Sequence, residues 1–129
     1  WLLGIQDAGQ ISIHAMRGAL FENWVITELL KQRFNRALVS NLYFWRDNTG
    51  NEIDALLDEA GSLRPIEIKS GQTMRRVSLA GLKKWCDLAA REEASTGRAA
   101  LVYGGDEAQQ RSDVDIVPWR DISSLHAHQ

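Results

Sequence analysis

The sequence predicts a mixed α/β domain: one central sheet with flanking helices, in the order α-β-β-β-α-β with a further strand. Three observations carry that expectation. A long stretch without proline, from about Ala15 to Arg36, sets its apolar residues at helical spacing. Three short strand-like runs follow, separated by tight-turn sequences. A second helical stretch then leads to a wholly apolar run, Ala99 to Tyr103, of the kind buried on both faces of a sheet.

Taken in order, residues 1–14 read as a poorly periodic lead-in, 15–122 as the domain, and 123–129 as a frayed tail. In the first helix Leu20, Phe21, Trp24, Val25, Glu28, Leu29 and Leu30 leave much of the circumference apolar, which predicts packing on a sheet. Asn41 to Arg46 is aromatic and strand-like, and Asp47-Asn48-Thr49-Gly50-Asn51 is a turn. Glu52 to Asp58 alternates with period two, and a turn at Glu59–Ser62 leads into Leu63 to Lys69, so the three strands read as an antiparallel meander. Leu79 to Glu93 is the second helix. Asp106 to Ser112 reads as polar loop, and Val114 to Trp119 as a last strand, placed at an edge because of Pro118.

With 129 residues, 44% hydrophobic and 25% charged, the chain has the size and composition of one soluble globular domain. No apolar run approaches the ~20 residues that span a bilayer, so no membrane partner is expected. A start at Trp1 rather than Met points to a piece of a longer chain. The single cysteine, Cys86, fits a reducing cytoplasm and sits in a helical context as a structural thiol. A net charge of −2 supplies no global attraction for nucleic acid.

The informative stretch is Pro65-Ile66-Glu67-Ile68-Lys69-Ser70-Gly71. Residues two apart on a strand share a face, which sets Glu67 beside Lys69, and Glu52, Asp54, Leu56 and Asp58 together on the preceding strand. Pairing through the Glu59–Ser62 turn would lay Asp54 next to Glu67. Two such carboxylates repel unless one is protonated or a cation bridges them. Mg²⁺ takes hard oxygen ligands, and Asp54, Glu67 and the carbonyl of Ile68 would supply three. Lys69 would orient or deprotonate a bound water, or neutralise a phosphate in transition. Acid-x-Lys also suits a plain solvated strand, and the neighbouring Asp54 is what favours a site.

Three pieces in order strengthen it: Gly18-Ala19-Leu20-Phe21-Glu22, Asn51-Glu52-Ile53-Asp54, and Ile66-Glu67-Ile68-Lys69. With the order of elements, they resemble the PD-(D/E)XK nuclease superfamily, whose fold is restriction-endonuclease-like. More narrowly, these pieces with Tyr43-Phe44-Trp45-Arg46 look like the DUF4143 domain, over roughly residues 1–103. That resemblance implies metal-binding acids at Asp54 and Glu67, the motif lysine at Lys69, and an added helix acid at Glu22. It implies Mg²⁺ or Mn²⁺ as cofactor and nucleic acid, DNA foremost, as partner. It also implies a place in the C-terminal part of a larger AAA-type ATPase, although no GxxxxGK[ST] loop occurs here. Ile53 stands where the motif has proline, and no Gln-x-x-x-Tyr motif follows.

Other residues weigh less. Glu28 rivals Glu22 for the cleft; Glu22 also suits a helix N-terminus. Arg75, Arg76, Lys83 and Lys84 read as solvated surface that is within reach of phosphates. Trp45 and Arg46 read as packing, Gly71 as a strand end and Ser70 as a weaker phosphate contact. His14, His126 and His128 lack ligand spacing. Two function classes follow: a metal-dependent nuclease, and a catalytically silent module that binds nucleic acid or protein and regulates the ATPase. A homodimer is compatible with either.

Overall fold

The computed structural model describes residues 6–11, 16–74, 78–111 and 113–126. A short helix α1 (Ala8–Ile11) and the long α2 (Arg17–Phe34) precede β1 (Leu42–Arg46), β2 (Glu52–Glu59) and β3 (Ser62–Lys69). After α3 (Ala80–Arg91) come β4 (Ala99–Tyr103), β5 (Gln109–Arg111), β6 (Val114–Pro118) and a 3₁₀ segment, Trp119–His126, kinked at Asp121. The six strands form one sheet in the order β1-β2-β3-β4-β6-β5. The first three make the expected antiparallel meander. From β3 onward the sheet turns parallel, β3 to β4 and β4 to β6, with β5 antiparallel at the edge. A parallel neighbour requires a crossover, and α3 supplies it between β3 and β4.

Each face of the sheet has its own core. On one, Val25 and Leu29 of α2 and Ile122 and Leu125 of the 3₁₀ segment cover Ala55, Leu57, Ile66, Ile68, Ala100 and Val102. On the other, Leu82, Trp85 and Ala89 of α3 cover Ile53, Leu56 and Ala99. All five residues of β4 are buried, as its apolar run predicts for a strand sandwiched between two helical layers.

Three expectations need correction. The polar loop contains β5, a three-residue strand with no apolar pattern to announce it. β6 is therefore not the edge; Pro118 is tolerated because β5 reaches only to Ile116 and leaves that side of the strand end open. The tail does not fray from Ser123: Leu125 and His126 are buried in the 3₁₀ segment, while residues 127–129 lie outside the described residues. Burial, then the charge of Arg33, pushes the His126 pKa down. Among the described residues no helix is long and apolar enough to cross a membrane.

One buried charge links the strands to the 3₁₀ segment. Arg64 of β3 donates to the Leu125 carbonyl (3.3 Å) and to Asp115 Oδ2 of β6 (2.9 Å), while half-exposed Arg98 takes the other Asp115 oxygen. Removing Asp115 leaves a buried guanidinium without its counter-charge, which costs about 3–5 kcal/mol for fully buried pairs. Asp115→Ala should therefore lower the unfolding free energy by about 3 kcal/mol in urea titration. Arg98→Ala, a change at a partly solvated pair, should lower it by less than about 1 kcal/mol.

Candidate functional site

The site begins with the β2–β3 hairpin. Its turn residues Ala60 and Gly61 both have positive φ (55° and 89°), the backbone of a two-residue hairpin turn, and Asp58 Oδ1 accepts the Gly61 N–H at 2.7 Å. That turn sets the register from Glu59↔Ser62 to Ala55↔Ile66. One step further on, Asp54 would stand level with Glu67. The strand pairing ends there, and the Ile68 N–H donates instead to Asp54 Oδ2 at 2.7 Å.

A bulge in β2 causes this change. Against β1, Tyr43 faces Leu56 and Trp45 faces Ile53, so three steps on β2 answer two on β1. Strict alternation, expected from the sequence, is broken at Asp54–Ala55. Ile53 and Leu56, three apart, both pack against α3, while Ala55 and Leu57 pack against α2. Freed from the regular pleat, the Asp54 side chain turns toward β3. The preceding loop is held by Asp47, whose Oδ1 accepts the N–H groups of Thr49 and Asn51 (2.9 and 2.8 Å). The Asn51 side-chain hydrogen bond is the largest cause pulling the Asp47 pKa down to about 2.

Glu67 is a largely enclosed carboxylate. Its side chain is 14% exposed; Oε1 meets Lys69 Nζ at 2.5 Å, and Oε2 is buried without a hydrogen-bond partner. Burial raises its pKa; the Lys69 hydrogen bond pulls it down, and the Asp54 charge pushes it up again. Burial also lifts Asp54, against the Ile68 N–H, which favours its charged form. Glu22 joins from α2: burial raises it first, then the charges of Asp54 and Glu52, so the three carboxylates and Lys69 form one electrostatic cluster. For Lys69 burial works against the ammonium, but the Glu67 hydrogen bond and the surrounding carboxylates prevail and hold its pKa up.

The ends of the strands are tied down beside it. The Arg17 guanidinium, at the start of α2, donates to the Ser70 carbonyl at 2.6 Å, which anchors the Glu22 helix to the residue after Lys69. Gly104 donates its N–H to the carbonyls of Lys69 and Gly71 (3.1 and 3.0 Å). A Cβ at Gly104 would stand 2.5 Å from the Ser70 carbonyl oxygen, so only glycine permits this approach. Next to Glu67 and Lys69 an open cleft of about 640 Å³ runs past Ser70 and Thr73 to Ser78 and Gly81 at the start of α3.

Of the residues singled out in the sequence, Glu22, Asp54, Glu67 and Lys69 come together here. Ile68 takes part through its N–H. Glu28 is turned aside into an ion pair with Lys31 at 2.7 Å. Lys83 pairs with Asp87 on the exposed face of α3, and Lys84 donates to Asn51 Oδ1. Trp45 packs against the α3-side core. Cys86 is half-buried in α3, and burial pushes its thiol pKa up. Arg75, Arg76, His14 and His128 lie outside the described residues. Two participants were missed. Glu52 shares the period-two pattern with Asp54 and was available to the same reasoning; Arg17 carries no signal of its own.

Whether these residues suit a divalent cation is tested by their donors. The unpartnered Oε2 of Glu67 and the raised carboxylate pKa values mark an electronegative spot that a cation would relieve. Among the described residues no three His, Cys, Asp or Glu side chains are gathered as a metal cage. Two carboxylates with a carbonyl and waters are nonetheless a usual complement for Mg²⁺. The donors fit.

Fold and site together define a mixed α/β domain with a carboxylate–lysine cluster where two strands part. The chain belongs to the family described as "Domain of unknown function (DUF4143)", whose model matches residues 17–122. No curated protein matches the sequence.

The raised carboxylates carry a sign. Between their ordinary range and their raised folded values, the folded protein binds more protons than the unfolded chain, so their contribution to stability falls as pH rises. Lys69 adds stability below its ordinary value of 10.5 and loses it as pH climbs through its raised folded pKa. In metal-free buffer, the stability of the wild type relative to Glu67→Gln should fall from about pH 4 toward neutral, read from urea midpoints. A constant difference would show that Glu67 ionises as freely as in the unfolded chain.

Proposed function

We propose that this domain is a metal-dependent hydrolase of nucleic-acid phosphodiester bonds, with a restriction-endonuclease-like sheet and helices. The observation that carries the proposal is Glu67, nearly withdrawn from water with one oxygen on Lys69 and the other unpartnered, in one cluster with Asp54. Asp54, Glu67 and the carbonyl of Ile68 would hold Mg²⁺ or Mn²⁺. When bound, such an ion acidifies water and offsets charge developing on the phosphate.

The chain's own groups divide the remaining work. Held protonated by its carboxylate neighbours, Lys69 acts as a cation toward the phosphate rather than as a base. Glu22, its pKa raised by burial and by Asp54, is a stronger base than a free glutamate and suits holding a proton taken from water. Asp54 is itself oriented by the Ile68 N–H, which occupies one of its two oxygens. The tie to an ATPase part rests on the sequence resemblance alone.

A second reading, a silent binding module, is favoured by one feature: Lys69 already occupies a Glu67 oxygen, so a cation must displace or share it. Cleavage separates the two. Labelled single-stranded and duplex DNA and RNA should be cut in Mg²⁺ or Mn²⁺ and not in EDTA. Asp54→Asn, which keeps an acceptor for the Ile68 N–H, and Lys69→Met should each slow cleavage by roughly 10²–10³-fold. Mn²⁺ calorimetry on the same proteins should show binding weakened by Asp54→Asn. Uncut substrates together with Mn²⁺ binding indifferent to Asp54→Asn would overturn the catalytic reading.

A further inference from the structure

The longest helix carries more apolar surface than its core contact uses. Val25 and Leu29 are the buried residues of α2 and Phe21 packs partly on the same core, yet Arg17, Leu20, Phe21 and Trp24 also form a stripe at i, i+3, i+4 and i+7. That stripe, with Ser70, Gln72, Gly104 and Trp119, lines an open cavity of about 630 Å³. Trp24 and Trp119 meet edge to face, centroids 5.6 Å apart at 70°, and Phe21 lies 6.3 Å from Trp24. Trp24 remains 38% exposed, a large ring left facing water.

Its electrostatics point to a particular occupant. Among the described residues no carboxylate lines the cavity. Arg17, hydrogen-bonded to the Ser70 carbonyl, lines it, and the Arg120 guanidinium, paired with Asp106 at 3.2 Å, lies 4.9 Å above the Trp119 ring. Ser70 is shared with the cleft that holds Glu67 and Lys69, so the two spaces adjoin across the end of β3. An aromatic slot with cations at its border, next to a cluster suited to a phosphodiester, matches a nucleobase joined to its phosphate.

We infer that this cavity seats an unstacked nucleobase next to the bond to be cut, so that the substrate is single-stranded or locally unpaired. The inference rests on the nuclease proposal and adds the form of the substrate to it. A base inside a duplex cannot reach such a slot without leaving its stack, whereas a single strand offers one freely. Every base has a face that stacks, so the slot selects for unpaired strands and tolerates sequence.

Fluorescence anisotropy in EDTA tests this with labelled 12-mers of oligo-dT, oligo-U, oligo-dT with one abasic position, and a blunt duplex. Single strands should bind at least tenfold more tightly than the duplex, and the oligo-dT to oligo-U ratio reports the sugar preferred. Trp24→Ala should weaken single-strand binding roughly five- to a hundredfold, the range for losing one stacked aromatic, and Trp24→Phe by less. The abasic position should weaken the wild type and add nothing to Trp24→Ala. Circular dichroism and the urea midpoint check that each variant is folded; should Trp24→Ala fail, Trp24→Phe and the abasic strand still decide. Cutting of substrate with binding unchanged in Trp24→Ala overturns this inference and leaves the nuclease proposal standing. No oligonucleotide binding by the wild type overturns both. A change of oligomeric state in Trp24→Ala, with oligonucleotide binding untouched, assigns the slot to a second copy of the chain and also overturns the inference.

Discussion

Carboxylates crowded at the parting of β2 and β3 are the constraint around which the domain is arranged. Burial raises Glu22, Asp54 and Glu67 before any neighbour is considered, so each would be more stable neutral or in water. Their charges then repel one another at short range. A sheet seeking only stability would place isoleucine or valine at these positions. The cluster is sustained by surroundings that are themselves well satisfied. Ile66 and Ile68 stand in the α2-side core on the opposite face of β3, and the Ile68 N–H and the Lys69 ammonium offset part of the carboxylate charge.

Three local devices turn that constraint into a defined shape. A two-residue turn at Ala60–Gly61 fixes the hairpin register, the bulge at Asp54–Ala55 ends it, and Asp54 then takes the Ile68 N–H that β2 no longer serves. Without the bulge, Asp54 would lie in the regular pleat and the backbone would continue to pair. With it, the strands part beside the cleft that Glu67 and Lys69 line. At the far end, Arg17 and Gly104 converge on the backbone around Ser70, one with a guanidinium and the other by having no side chain. The backbone at the end of β3 is thus held from two directions.

The letters disclosed much of this and concealed the part that depends on backbone irregularity. Strand and helix order from Arg17 to Tyr103 was legible because β2, β3 and α3 carry a period, β4 is an unbroken apolar run, and glycine or asparagine marks the turns between elements. Asp54, Glu67 and Lys69 were legible because acid and base alternate with isoleucine. The bulge was not, since Ile53, Ala55, Leu56 and Leu57 are all apolar and satisfy either face. Strand β5 was hidden because Gln109, Gln110 and Arg111 carry no apolar pattern; a three-residue edge strand owes its pairing to β6. Pro118 misled for a related reason: proline excludes a paired neighbour only where that neighbour reaches, and β5 stops short. The fate of Leu125 and His126 depended on a tertiary contact with α2 that no local pattern encodes.

The place of the cluster in the sheet gives a reason for its position apart from its residues. In open α/β sheets, ligands gather beyond the carboxyl ends of strands, at the point where the chain's connections switch sides. Strand β3 carries a related discontinuity here: it is antiparallel to β2 and parallel to β4, with α2 covering one face and α3 the other. Glu67 and Lys69 stand in its last turn of pleat, and Ser70 lies just beyond. At that position neither helix can cover both sides of the strand end, so a cleft opens on the α3 side and the aromatic cavity on the α2 side. Two spaces separated by one residue of backbone follow from the switch in strand direction. The carboxylates and the tryptophans decide what each of them can hold.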